Sequence, residues 1–220
     1  MIYLVGLGLY FQLPQSVIKE LEGFDIVVID GYTVTLPPLD FPYPVVDRKF
    51  LEEDIWKLMD KDIAILVAGD PLFATTHTSI YFEALKRGIE AKVFHNSSIL
   101  NAVSRTGLSA YKFGRVVSVV KWSENYKPTS YLDHIKQNQS LGLHTLVLPD
   151  PQFKDFNEFL FQMPEDMEMI TLHRIGWKEE GIYFDKRNVK HPFAVVVPGE
   201  VSHYEREHMD ILRQLSQRSR

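Results

Sequence analysis

The chain contains no cysteine. That absence excludes disulfides, thiolate zinc sites, iron–sulfur clusters and cysteine nucleophiles, and it fits a reduced compartment. A basic excess is also missing: 24 Lys+Arg stand against 29 Asp+Glu, a formal net charge of −5. Direct nucleic-acid binding is therefore not expected, because proteins that neutralise phosphates carry the opposite balance. Long apolar runs are lacking as well. The runs at 63–68 and 193–197 are strand-length, far short of the roughly 20 residues that cross a bilayer. Met1 leads straight into Ile2-Tyr3-Leu4-Val5, without a charged n-region or cleavage site. No leader or membrane segment is expected, and the chain reads as soluble and cytoplasmic.

Two nucleotide and nucleophile signatures are absent too, the G-x-S-x-G elbow and the G-x-x-x-x-G-K-[ST] phosphate loop. The eight histidines are scattered, and His203 and His208 miss the i, i+4 spacing of a helical metal pair. No metal site is expected. What remains is ordinary globular composition, 45% hydrophobic and 24% charged over 220 residues, enough for one large domain or a compact pair.

Short β-branched runs alternate with helical patterns, the signature of an α/β fold with parallel strands. Strands are expected at Ile2–Val5, Phe24–Ile29, Ile63–Ala68, Ala91–Phe94, Val116–Val120, Thr145–Leu148 and Phe193–Val197. Met169–Ile175 and Ile182–Phe184 are expected to pair across a Gly176–Gly181 turn. Helices are expected from Pro14 to Gly23, over Leu51–Met59, through Ile80 and Leu85 to Gly88, over Ser97–Arg105 and Thr129–Ser140, around Phe156–Leu160, and after Ser202. Ser202 and Glu205 have capping-box spacing. The proline-rich stretch Asp30–Pro44 reads as an irregular loop. A new half begins after Lys112-Phe113-Gly114, which divides the chain into an N-terminal α/β domain, 1–114, and a C-terminal α/β domain, 115–220.

Three loops leave carboxyl ends of strands, where open α/β sheets place ligands. The first is Gly6-Leu7-Gly8-Leu9, either a tight turn or a site where backbone amides approach an adenosine-containing cofactor; Phe11 stands where a dinucleotide fingerprint wants glycine. The second is Gly69 to His77, in which Asp70 is a turn-former or a ligand contact and His77 a polar recognition residue or a buried structural histidine. The third is Asn96-Ser97-Ser98-Ile99, a helix cap or part of the same site. Residues and spacing alone reach an α/β ligand-binding protein, expected to be an enzyme, built around one convergence of loops.

These motifs also carry a family likeness. The opening Met1–Tyr10 segment, the nonamer Gly69–His77 (GDPLFATTH), Ser98-Ile99, Thr106-Gly107-Leu108 with Tyr111–Gly114, Pro128–Tyr131, Gly142–Leu146 and Val197-Pro198-Gly199 occur in family order. Together they resemble the diphthine synthase family, within the tetrapyrrole methylase superfamily. The resemblance implies two α/β domains of the tetrapyrrole methylase type with S-adenosylmethionine in the cleft between them, no metal, and a homodimer. It further implies an N-methyltransferase of diphthamide biosynthesis that acts on the modified histidine of translation elongation factor 2. Alternatives within the same likeness are a non-catalytic S-adenosylmethionine-binding homologue, or a methyltransferase for a tetrapyrrole or ribosomal RNA.

Carried over by motif, the implied cofactor contacts are Leu9, Asp70, Phe73, Ser98, Ile99, Pro149, Ile175 and Phe193. His77 is the candidate proton acceptor, chosen because it follows Asp70 in the same loop, with solvent as the alternative. Two positions depart from the family pattern: Pro149 replaces an aliphatic residue and has no N–H to donate, and Phe193 stands where the family tends to have histidine. The chain is also shorter than its relatives around Asp30–Pro44 and Asp150–Glu168.

Overall fold

The computed structural model describes residues 1–33, 35–38 and 40–218; Val34 and Leu39, inside the expected Asp30–Pro44 loop, and the last two residues of the tail lie outside the described residues. Met1–Ser98 forms one compact unit and Ile99–Arg220 another.

The first unit runs β1 (Ile2–Gly6), α1 (Gln15–Leu21), β2 (Ile26–Asp30), β3 (Val45–Val46), α2 (Arg48–Glu52), β4 (Ile63–Val67), α3 (His77–Lys86) and β5 (Ala91–Phe94). Its sheet has the order β3-β2-β4-β1-β5, and among the described residues all four strand pairings are parallel. Every residue of β1 and β4 is buried. The reason is alternation between two cores. Ile2, Leu4, Ile63, Ile65 and Val67 pack on one face with Ile80 and Ala84 of α3. Tyr3, Val5, Ala64 and Leu66 pack on the other with Val17 and Leu21 of α1. A strand covered on both faces has no solvent side, so its sequence shows an unbroken apolar run.

One expected helix is interrupted. Asp47 caps α2, its Oδ1 accepting the Phe50 N–H at 3.0 Å. The chain leaves helical geometry at Glu53 (φ −123°) and resumes as a short 3₁₀ turn, Asp54–Lys57. Buried apolar anchors occur only at Leu51 and Ile55, too few to hold a continuous helix across the acidic run Glu52–Asp54.

The second unit runs α4 (Ile99–Ala102), β6 (Val117–Val119), α5 (Ser130–Ser140), β7 (Thr145–Pro149), α6 (Phe156–Leu160), β8 (Ile170–His173), β9 (Gly181–Tyr183), β10 (Phe193–Val197) and α7 (His203–Arg218). The sheet order is β6-β7-β10-β8-β9. β6 is parallel to β7, whereas β10 is antiparallel to both of its neighbours and β9 is antiparallel to β8. This sheet is mixed. The expected hairpin across Gly176–Gly181 is present. The aromatic layer Phe153, Phe156 and Phe159 covers one face with Tyr131 and Ile135.

The stretch after Ser98, assigned to the first half when the sequence is divided at Gly114, is hydrogen-bonded into the second unit. The Gly114 N–H donates to the His144 carbonyl at 2.9 Å, and His144 N–H donates to the Lys112 carbonyl at 2.8 Å. Ser109 N–H donates to Glu205 at 2.9 Å. Among the described residues no helix is long and apolar enough to cross a membrane.

Candidate functional site

In the first unit, β1, β4 and β5 are adjacent and parallel. Their carboxyl ends therefore lie on one edge, and the loops that leave them are bonded to one another. Gly8 and Gly69 form a two-way bridge, Gly8 N–H to Gly69 O at 3.0 Å and Gly69 N–H to Gly8 O at 3.2 Å. Leu9 N–H donates to Ser97 Oγ at 3.1 Å. Asn96 Nδ2 donates to the Gly6 carbonyl at 2.9 Å, and its Oδ1 accepts Ser97 N–H at 2.8 Å. The three loops expected to converge do converge.

Two glycines are required by this closeness. A Cβ on Gly6 would stand 2.7 Å from the Gly69 carbonyl oxygen, and one on Gly8 would stand 2.7 Å from Asn96 Oδ1. Gly8 also has φ +69°, the left-handed region that costs other residues strain. A concavity of about 380 Å³ opens beside this edge, lined among others by Leu7, Gly8, Tyr10, Asn96 and Ser97.

Asp70 follows Gly69 and is nearly enclosed, with 14% of its side chain exposed. Its Oδ1 accepts Leu72 N–H at 2.9 Å. Its Oδ2 accepts Asn96 N–H at 3.3 Å and lies 2.8 Å from His95 Nδ1. The carboxylate thus ties the β4 loop to the β5 loop. Leu9 and Phe73 are half-buried, and Ser98 is 7% exposed.

His77 lies elsewhere. It is fully buried at the start of α3, and its Nε2 is 3.6 Å from Asp30 Oδ2, not near Asp70. Burial lowers its pKa, partly opposed by the Asp30 charge. Among the described residues neither ring nitrogen has a hydrogen-bond partner. Between Asp70 and His77 the backbone enters the left-handed region at Ala74 (φ +54°), and α3 then sets His77 against Asp30. The histidine that meets Asp70 is His95. Its one sequence signal was its place at the end of a strand beside Asn96.

The remaining candidates belong to the second unit, three of them on one sheet edge. Pro149 ends β7, Phe193 begins β10, and Ile175 follows β8 by two residues. Because β10 runs against β7 and β8, its amino end joins their carboxyl ends; Phe193 pairs with His173. The Phe193 ring is core, 5.4 Å from Phe156 and 5.8 Å from Phe159, so it can offer a ligand only its backbone. Ile175 is 7% exposed. Its loop is held by Glu180, which accepts Gly176 N–H at 2.9 Å and pairs with Arg105 at 2.8 Å. Arg105 stands in the 3₁₀ turn that continues α4, and Ile99, half-buried, opens that helix.

The other family motifs gather around a hub. Glu205, 4% exposed, accepts Ser109 N–H, Ser202 N–H at 2.8 Å, Lys112 Nζ at 3.0 Å and His144 Nε2 at 3.0 Å. His144 Nδ1 accepts Gly199 N–H at 2.9 Å. Burial pushes the Glu205 carboxyl up, and the four donors more than reverse this, holding it far below the usual range. Lys112, His144 and Gly199 thus serve architecture.

The cradle fits an adenosine-bearing ligand. It combines glycine turns bare of side chains, the half-exposed apolar Leu9 and Phe73, and nearby polar Ser97 and Asn96. Among the described residues no group of three or more His, Asp or Glu side chains could hold a metal ion.

Comparison with known proteins agrees with this arrangement. The family model for tetrapyrrole (corrin/porphyrin) methylases matches residues 1–188. The chain is 34% identical to the diphthine synthase of Methanococcus maripaludis, over 96% of this chain and 98% of that one. It is 43% identical to the diphthine methyl ester synthase of Aspergillus fumigatus over 70% of this chain, a match that spans only 59% of that relative's length. A crystal structure of diphthine synthase superposes with a TM-score of 0.82 at 26% identity, covering 97% of this chain and 96% of that one. The chain therefore belongs to the tetrapyrrole methylase family, among its diphthine synthases.

Proposed function

We propose that the protein is an S-adenosylmethionine-dependent N-methyltransferase of diphthamide biosynthesis, acting on the modified histidine of translation elongation factor 2. The observation that supports it most is the mutual closure of the Gly6–Leu9, Gly69–Phe73 and Asn96–Ser98 loops, at the strand ends where this family's motifs fall. Leu9, Asp70, Phe73 and Ser98 would hold the cofactor from the first unit, and Ile99, Pro149, Ile175 and Phe193 from the second. We further assign it to the cytoplasm as a homodimer, without nucleic-acid or membrane contact.

When bound, S-adenosylmethionine supplies a methyl group on a positively charged sulfur. The chain's own contribution is positional. Holding donor and acceptor in line supplies roughly 7–11 kcal/mol of barrier reduction. Apolar Leu9, Phe73, Ile99 and Ile175 suit a reaction in which charge leaves the sulfur. Asp70 acts through the loop, since both of its oxygens already accept N–H groups of the protein. Pro149 and Phe193 contribute through backbone carbonyls.

Titration with S-adenosylmethionine and mass spectrometry of elongation factor 2 carrying the unmethylated precursor test the reading together. Binding followed by mass increments of one methyl group is expected. No binding at millimolar cofactor would sink the methyltransferase assignment, and binding with the precursor left untouched would sink the substrate.

A further inference from the structure

Asp70 and His95 are 25 residues apart in sequence and meet at 2.8 Å between Oδ2 and Nδ1. The imidazole is 66% exposed, whereas the carboxylate is 14% exposed and pinned by Leu72 N–H and Asn96 N–H. An ionised carboxylate has no proton to give, so the contact requires the N–H to sit on Nδ1, and in the neutral ring Nε2 is then the acceptor. Ion pairs as exposed as this contribute only about 0–1 kcal/mol to stability. Its main physical effect is to fix the tautomer and the direction of the ring, the role a carboxylate plays toward a catalytic imidazole. The loops around it offer few rivals. Residues 6–13 carry one ionisable side chain, Tyr10, and residues 69–77 carry Asp70 and the enclosed His77.

We propose that His95, oriented by Asp70, is the group that takes the proton an acceptor amine must lose before it can be methylated. The inference rests on the methyltransferase reading above and adds the proton acceptor to it. An amine near neutral pH is mostly an ammonium ion, with no lone pair. In the step assigned here one ammonium N–H bond breaks, its electron pair stays on nitrogen as the attacking lone pair, and the proton moves to His95 Nε2. The imidazolium then returns the proton to solvent. His77 cannot serve, because it is sealed from any incoming group.

Two measurements test this. Ring ¹⁵N NMR of the free protein, with His95→Gln to assign the signal, reads the tautomer without any turnover; the Nδ1–H form is expected, and an Nε2–H form overturns the proposal. Single-turnover methylation of elongation factor 2 carrying the precursor is then followed from pH 6 to 9 in wild type, His95→Gln and His95→Asn. General-base loss predicts a rate lowered about 100-fold at pH 7, with partial recovery at high pH or on addition of free imidazole, and S-adenosylmethionine affinity within about twofold of wild type. Wild-type rates at every pH in both variants overturn it. A wild-type protein that binds no S-adenosylmethionine overturns the parent reading and this one with it, and that failure shows in the titration before any variant is compared.

Discussion

Single residues decide whether the cradle closes. Gly8 combines a left-handed backbone with a 2.7 Å approach to Asn96 from the position its Cβ would occupy. Gly8→Ala is expected to cost about 1–3 kcal/mol of stability through backbone strain and crowding. It should also weaken S-adenosylmethionine binding at least 10-fold in calorimetric titration. Gly88→Ala serves as a control, since that glycine shares the positive φ but faces open space; it should lose stability while keeping cofactor affinity.

Glu205 is the opposite kind of residue, buried and charged at the centre of a hub. Removing it leaves the buried His144 Nε2 without its acceptor and Lys112 with only the Glu200 carbonyl, and losing one partner of a buried ionic group costs about 3–5 kcal/mol. Glu205→Ala should lower the denaturant midpoint accordingly, and Glu205→Gln by less, because the amide keeps one acceptor. Equal loss in both would show that charge, not acceptor geometry, holds the hub.

Between elements, one ion pair ties two candidate contacts. Arg105 follows the short α4 that begins at Ile99, and Glu180 closes the loop that carries Ile175. Four helical residues and a seven-residue loop have too little packing of their own to fix a position, so the bidentate contact does it. Glu180 is held below the usual carboxylate range, first by Arg105 and also by Gly176 N–H. Arg105→Ala is expected to raise the S-adenosylmethionine dissociation constant about 5- to 20-fold with a melting shift of only a few degrees. The double exchange Arg105→Glu with Glu180→Arg should recover part of the affinity, and a single variant with unchanged affinity would remove the clamp from the binding account.

Elements were mostly legible in sequence. Every expected strand exists, and the Ser202–Glu205 capping box opens α7 as its spacing says, with Glu205 accepting Ser202 N–H. The errors are instructive. The break at Glu53 came from a shortage of buried anchors, which periodicity over so few turns does not reveal. The two-residue β3, directly after the proline-rich stretch, exists because β2 offers it a free edge, Gly31 N–H reaching Val46 O at 3.0 Å.

Across the whole molecule, burial lowers the pKa of three histidines, His77, His173 and the half-buried His191. His191 is pushed down to about 4 from 6.5 by burial, against the opposing charge of Asp150. His77 and His173 are lowered for the same leading reason. Between pH 4 and 6.5 the unfolded chain therefore binds more protons than the folded one, so stability rises with pH across that window. Glu205, also depressed, adds stability that is present above its unfolded pKa of 4.5 and is lost as pH falls below it. Urea midpoints should climb from pH 4 to 6.5 and level off above. His191→Gln should flatten that climb; an unchanged slope would mean the His191 ring is solvated in the folded state.

By itself the sequence determined the strands, the family motifs and the glycines at the tight turns, because these depend on neighbours within a few residues or on backbone angles that only glycine tolerates at no cost. Tertiary structure alone decided the direction of β10, whose wholly buried Phe193–Val197 run reads the same either way along a sheet. It also decided which histidine serves Asp70. His77 is nearer along the chain, yet the parallel pairing of β4, β1 and β5 brings His95 to the carboxylate. Contacts between distant segments are set by how strands stack, and no local pattern records that.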